Sequence, residues 1–171
     1  MSLIATFWTL EAARRGELVD AFKPYQRKCS ERHMVFFSKT HTEKVYPWHS
    51  YMTGNAREEA RWPHSGVAFV DLELMVPDGA KPFALGLPES GELCTHSQAS
   101  VALLDARAAQ IIRTTFSASP LTQTAVVRFY ESDGRPLADL GDADYILSAQ
   151  RQLIAWSEKV TPDRIGLLMV G

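Results

Sequence analysis

Cysteine is scarce in this chain, which holds only Cys29 and Cys94 among 171 residues. Two thiols cannot staple a small secreted scaffold, so no disulfide is expected and the cytoplasm is the default location. Long apolar runs are missing as well. The most apolar stretch, "GVAFVDLELMV", carries two carboxylates and is about half the length of the roughly 20-residue segment a spanning helix needs, so no membrane association is expected. The patch "LIATFWTL" near the start follows no basic region and precedes no small-residue cleavage pattern, and it is not read as a signal peptide. Neither sign of charge dominates. A formal charge of −2 and a pI near 6.2 provide no basic field for a phosphate backbone, and nucleic acid is not an expected partner. Glycine-rich phosphate loops and the G-x-S-x-G elbow are absent. The histidines, His33, His41, His49, His64 and His96, fall at none of the short spacings that bring two imidazoles to one ion, so neither metal nor cofactor is expected.

What is present is an ordinary globular composition. With 46% hydrophobic and 22% charged residues, the chain suits one domain over residues 1–171, large enough to remove roughly 70% of its exposable surface on folding. "LIATFWT" reads as an opening strand, with Thr9 as the cap of a helix running to Phe22. "HMVFFS" over 33–38 is a second strand. Asn55 and Glu58 have the spacing of a capping box for a two-turn helix ending at Trp62-Pro63. "VAFVDLELMV" over 67–76 alternates like a strand. Residues 77–93 form a turn-rich connection with room for one short strand near "FALGL". "SVALL" then leads to Asp105, the cap of a helix that carries Ala108, Ile111, Ile112 and Phe116 on one stripe. "TAVVRFYE" is read as a strand closed by a turn at "SDGRP", where glycine tolerates positive φ. A helix over 142–159 carries Ile146, Ala149, Leu153 and Trp156 on one side, and "RIGLLMV" closes the chain as an interior strand. The fold class is therefore α+β: a mixed sheet with three to four helices packed mainly on one face.

The densest chemistry lies in "YPWHSYMTGNAREEARWPHSG", residues 46–66. Trp48, Tyr51 and Trp62 are amphipathic groups of the kind that line pockets and interfaces, and His49 and His64 titrate near neutrality. Core packing explains the tryptophans equally well. A second set could serve an enzyme. On a strand, Asp71 and Glu73 share one face about 6.6 Å apart, an acid/base spacing that a solvated outer face also produces. Cys94 and His96 in "CTH" would lie on one side of an extended segment as thiol and base, or Cys94 is simply a small buried hydrophobe. Arg27, Lys28 and Arg32 form a basic cluster diluted by Glu31, readable as a local anion site or as a solvated surface. The leading expectation is a non-catalytic binding or protein-interaction module, with an unidentified protein or small molecule as partner. The alternative is a small hydrolase or metal-assisted enzyme. Exposed aromatics would equally serve as the seam of a homodimer.

Three stretches also carry a family resemblance. "HSYMTG" at 49–54, the opening "IATFWTL" before a helix, and the ending "YILSAQRQLIAW" followed by "RIGLLMVG" resemble the YfbM-like family of uncharacterised bacterial proteins. The resemblance implies a small cytoplasmic bacterial α+β domain, and it transfers no catalytic residue.

Overall fold

A computed structural model describes the backbone of residues 3–32, 38–134 and 140–171, and the side chains of residues 3–29, 42–134 and 143–171. His33 and all of the expected 33–38 strand except Ser38 lie outside the described residues. The strands are β1 (Ala5–Glu11), β2 (Tyr25–Arg32), β3 (Ser38–Val45), β4 (Arg57–Arg61), β5 (Ser100–Leu104) and β6 (Arg164–Val170). The helices are α1 (Arg15–Phe22), α2 (Trp48–Asn55), α3 (Val67–Met75), α4 (Glu89–Ser97), α5 (Ala106–Ala118), α6 (Gln123–Ser132) and α7 (Leu140–Ser157). The α+β class is as expected.

The main sheet has the order β4-β1-β6-β5. All of its pairings are antiparallel, where a mixed sheet was expected. β6 is interior, as its unbroken apolar run requires, because Ile165 through Val170 are buried on both faces. Alternation along the strands then builds two cores. Phe7, Ala102 and Leu168 face the layer of α3, α5, α6 and α7. Leu10, Leu103 and Leu167 face Leu18 and Phe22 of α1, Met52 of α2 and Leu93 of α4. Among the described residues four helices cover one face and three the other, so the sheet is the middle of three layers rather than the floor of two.

Several local expectations are corrected. Residues 67–75 and 123–132 are helices, not strands. In α3 the buried residues Ala68, Phe69 and Leu72 recur at helical spacing, and α6 starts where the Thr122 side chain accepts from the Ala125 amide. Thr9 caps nothing. It stays in β1, which runs on to Glu11, and its hydroxyl donates to Glu59 across the sheet at 2.6 Å. Asn55 is the last residue of α2 rather than the cap of a following helix, and Glu58 lies in the short strand β4. The 77–93 connection holds a 3-10 turn at Asp78–Ala80 and the start of α4 instead of a strand.

Other local signals hold. Asp105 accepts from the Ala108 amide at 2.8 Å and starts α5. Ile146, Ala149, Leu153 and Trp156 are all buried on α7. Trp156 stacks between Phe7 and Phe69, at centroid distances of 5.3 and 5.1 Å. The Phe7 ring also covers Gly166, where an added Cβ would lie 2.5 Å from Phe7 Cζ, so only glycine fits at that point of β6. Gly134 takes φ +68° in the turn foreseen at "SDGRP".

Candidate functional site

β5 is an edge strand, and its outward-facing backbone groups need partners. α4 supplies them with side chains one helical turn apart. Ser90 Oγ accepts from the Leu103 amide at 2.9 Å. Cys94 Sγ accepts from the Val101 amide at 3.2 Å and donates to the Val101 carbonyl at 3.5 Å. The Leu87 amide adds a bond to the Leu103 carbonyl at 2.7 Å. Cys94 therefore closes the edge of a sheet, and this accounts for its position without nucleophilic chemistry.

The same corner of the molecule holds a cavity of about 360 Å³. α3 contributes Val70, Glu73 and Leu74, which at i, i+3 and i+4 form the helix side opposite the buried stripe of Ala68 and Leu72. Phe83 closes one wall, and Gly91 and Cys94 of α4 another. Gly91 is exposed, and nothing stands within 4 Å of the position its Cβ would take. Leu74, 55% exposed, stands at the solvent side.

Glu73 is the one charged group among the described lining residues. Its Oε2 accepts from the Phe83 amide at 3.0 Å and its Oε1 from the Ala84 amide at 3.2 Å, which holds the turn after the 3-10 segment against α3. Burial raises its pKa above the ordinary 4.5, with those two amides and the charge of Lys81 pulling the other way. Lys81 does not neutralise it, because its ammonium sits on Asp78 at 2.6 Å.

The residues singled out in the sequence scatter. Trp48 is half-buried and stacks on Phe22 within the core of α1, α2 and α4. His49 beside it is exposed, its ring 5.6 Å from that of Trp48. Tyr51 is half-buried and donates to Glu17 at 3.2 Å; burial first, and then that carboxylate, raise its pKa. Trp62 is buried in the other core, edge-on to Phe69 at 5.4 Å. His64 is exposed and lies between Trp62 and Tyr145, 5.1 and 4.6 Å away. The sheet thus separates the surroundings of Trp48 from those of Trp62.

The enzyme set is divided too. Asp71 is buried and accepts from the Tyr130 hydroxyl, whereas Glu73 projects toward Phe83, because residues two apart on a helix point to opposite sides. His96 lies two residues beyond Cys94 on α4, for the same reason on another side of the helix, and is not among the cavity's described lining residues. Of that set, only Glu73 and Cys94 meet. Among the described residues no three His, Cys, Asp or Glu side chains are grouped so as to hold a metal ion, and no helix is long and apolar enough to cross a membrane. The alternating reading of residues 67–76 puts Val70 and Leu74 on the core face of a strand and Gly91 in a turn-rich connection, whereas on α3 and α4 they line the cavity and Leu74 is exposed. A helical reading of residues 67–75 would have marked Val70, Glu73 and Leu74 as a second stripe. No family model, curated protein or solved structure matches the chain, so the YfbM-like resemblance rests on its three sequence stretches alone.

Proposed function

We propose that this protein is a non-catalytic binding module, and that its ligand is a small, largely apolar molecule held in the cavity between α3, α4 and the β5 edge. The observation that carries the reading is an apolar recess of about 360 Å³ with a single charged group among the described residues of its wall. Small-molecule sites occupy roughly 300–1,000 Å³ and combine apolar walls with few polar groups, which places this one at the small end of the range. Among the described residues the lining offers a thiol and a carboxylate but no imidazole, and both groups serve the backbone: Cys94 at β5 and Glu73 at the Phe83-Ala84 turn. Binding needs no further group, whereas hydrolysis would also need a nucleophile or water placed against Glu73 and donors for the developing oxyanion.

Gly91→Leu provides the test. A leucine there adds bulk to the cavity wall with nothing within 4 Å of its Cβ to clash with, and replacing a helical glycine favours the helix by about 0.5–1 kcal/mol. In NMR titrations with phenethyl alcohol and phenethylamine, the amides of Val70, Phe83 and Val101 should shift in the wild-type protein. They should stay still in the Gly91→Leu variant, whose melting temperature should be unchanged or higher. If neither of these compounds nor their carboxylate analogue hydrocinnamate moves those amides in the wild-type protein, the cavity is not a ligand site and the reading fails.

A further inference from the structure

The half-buried carboxylate in the cavity has unused capacity. A carboxylate has about four lone-pair sites, and the Phe83 and Ala84 amides occupy one on each oxygen of Glu73. Glu73 has no ion-pair partner among the described residues, and Lys81, whose charge acts on it, is engaged by Asp78. The remaining polar groups of the wall are small and uncharged: Ser90 and Cys94 at the β5 edge, and Ser100. An anion would therefore enter a partly desolvated recess against a fixed negative charge. A neutral ligand would leave that charge without a counterion.

We infer that the cavity selects an organic cation, a primary amine on a short apolar or aromatic body, with the ammonium bound to Glu73 and the body against Val70, Leu74 and Phe83. The inference rests on the binding reading above and names the ligand class for that site. An ammonium brings three donors to the free sites of the carboxylate, and a charge-assisted hydrogen bond is about twice as strong as a neutral one. The apolar walls accept the body without imposing a precise shape, so the charged end sets the selectivity. Glu73 then acts in two ways at once: it fastens the Phe83-Ala84 turn, and it presents its charge to the recess.

Three probes of matched shape separate this inference from the reading beneath it: phenethylamine, phenethyl alcohol and hydrocinnamate, titrated into the wild-type protein at neutral pH and followed by the same amide shifts. The amine should bind on the order of tenfold or more tighter than the alcohol, and the carboxylate should bind least. Equal affinity for amine and alcohol, or preference for the carboxylate, overturns the cation site while leaving the cavity a ligand site. Silence from all three overturns both. In Glu73→Gln, shown to be folded by its amide spectrum, the preference for amine over alcohol should vanish, and its persistence would place the selectivity elsewhere. Should that variant fail to fold, the wild-type ranking of the three probes decides alone.

Discussion

Glu73 shows how much one residue's role depends on its surroundings. In an alternating strand it would have stood beside Asp71 as half of an acid/base pair. On α3 it turns away from Asp71, holds a turn through two amides and faces a cavity. Its raised pKa has a consequence for stability. Because the folded protein keeps the proton to a higher pH than the unfolded chain does, the contribution of Glu73 is fullest below its ordinary pKa of 4.5 and declines as pH rises through the folded value. The stability of the wild-type protein relative to Glu73→Gln should therefore fall as pH is raised from about 4 and level off once the folded carboxyl has ionised. Urea denaturation of both proteins across this range checks it, and a gap that widens in favour of the wild type with rising pH would contradict the direction of the shift. Because the carboxylate is half-buried, the change is a fraction of what full burial would produce.

Elements differ in how far local chemistry determines them. α5 and α7 were legible because a cap or a sustained helical stripe is a short-range signal: Asp105 reaches its own helix, and Ile146 to Trp156 keep one face over several turns. α3 was not. "VAFVDLELM" is apolar at nearly every position, so strand and helix readings both find a buried side, and packing against α7 settles the matter. The β2-β3 ribbon is the converse case, an element with pairing but little packing. Tyr25, Gln26, Arg27 and Lys28 are exposed, as are Thr42, Glu43 and Lys44, and no buried hydrophobic of either core comes from the described part of the ribbon. A two-stranded ribbon with no core of its own is marginal in water. Its ladder amides between Tyr25 and Cys29 and between Thr42 and Val45 should exchange with solvent far faster than those of Leu167 and Leu168 in β6, with opening free energies well below the global value. Native-state hydrogen exchange measures this directly, and equal protection of ribbon and β6 would show that the ribbon opens only with the whole fold.

At the scale of the whole molecule, the sheet acts as a partition. The segment 46–66 begins on one face, where Trp48 stacks on Phe22, crosses the edge as β4, and ends on the other, where Trp62 meets Phe69. Aromatic residues close in sequence therefore belong to two cores. Trp62→Ala should cost about 3–5 kcal/mol, as large buried aromatics do, and Trp48→Ala less, because its ring is half-buried. The two losses should add to within about 0.5 kcal/mol in the double variant, since no shared partner couples them. Denaturant titrations of the single and double variants test this, and a coupling above about 1 kcal/mol would mean that the two tryptophans share one packing unit after all.

The sequence alone determined the α+β class, the interior position of β6, the start of α5, the buried side of α7 and the glycine turn at Gly134, because each depends on groups within a few residues of one another. Tertiary structure decided that residues 67–75 and 123–132 are helical and that helices cover both faces of the sheet. It also decided that Glu73 and Cys94 meet at one cavity while Asp71 and His96 do not join them. The physical reason is the same throughout: an apolar or reactive side chain specifies what it needs as a neighbour, but only the packing of distant segments settles which neighbour it finds.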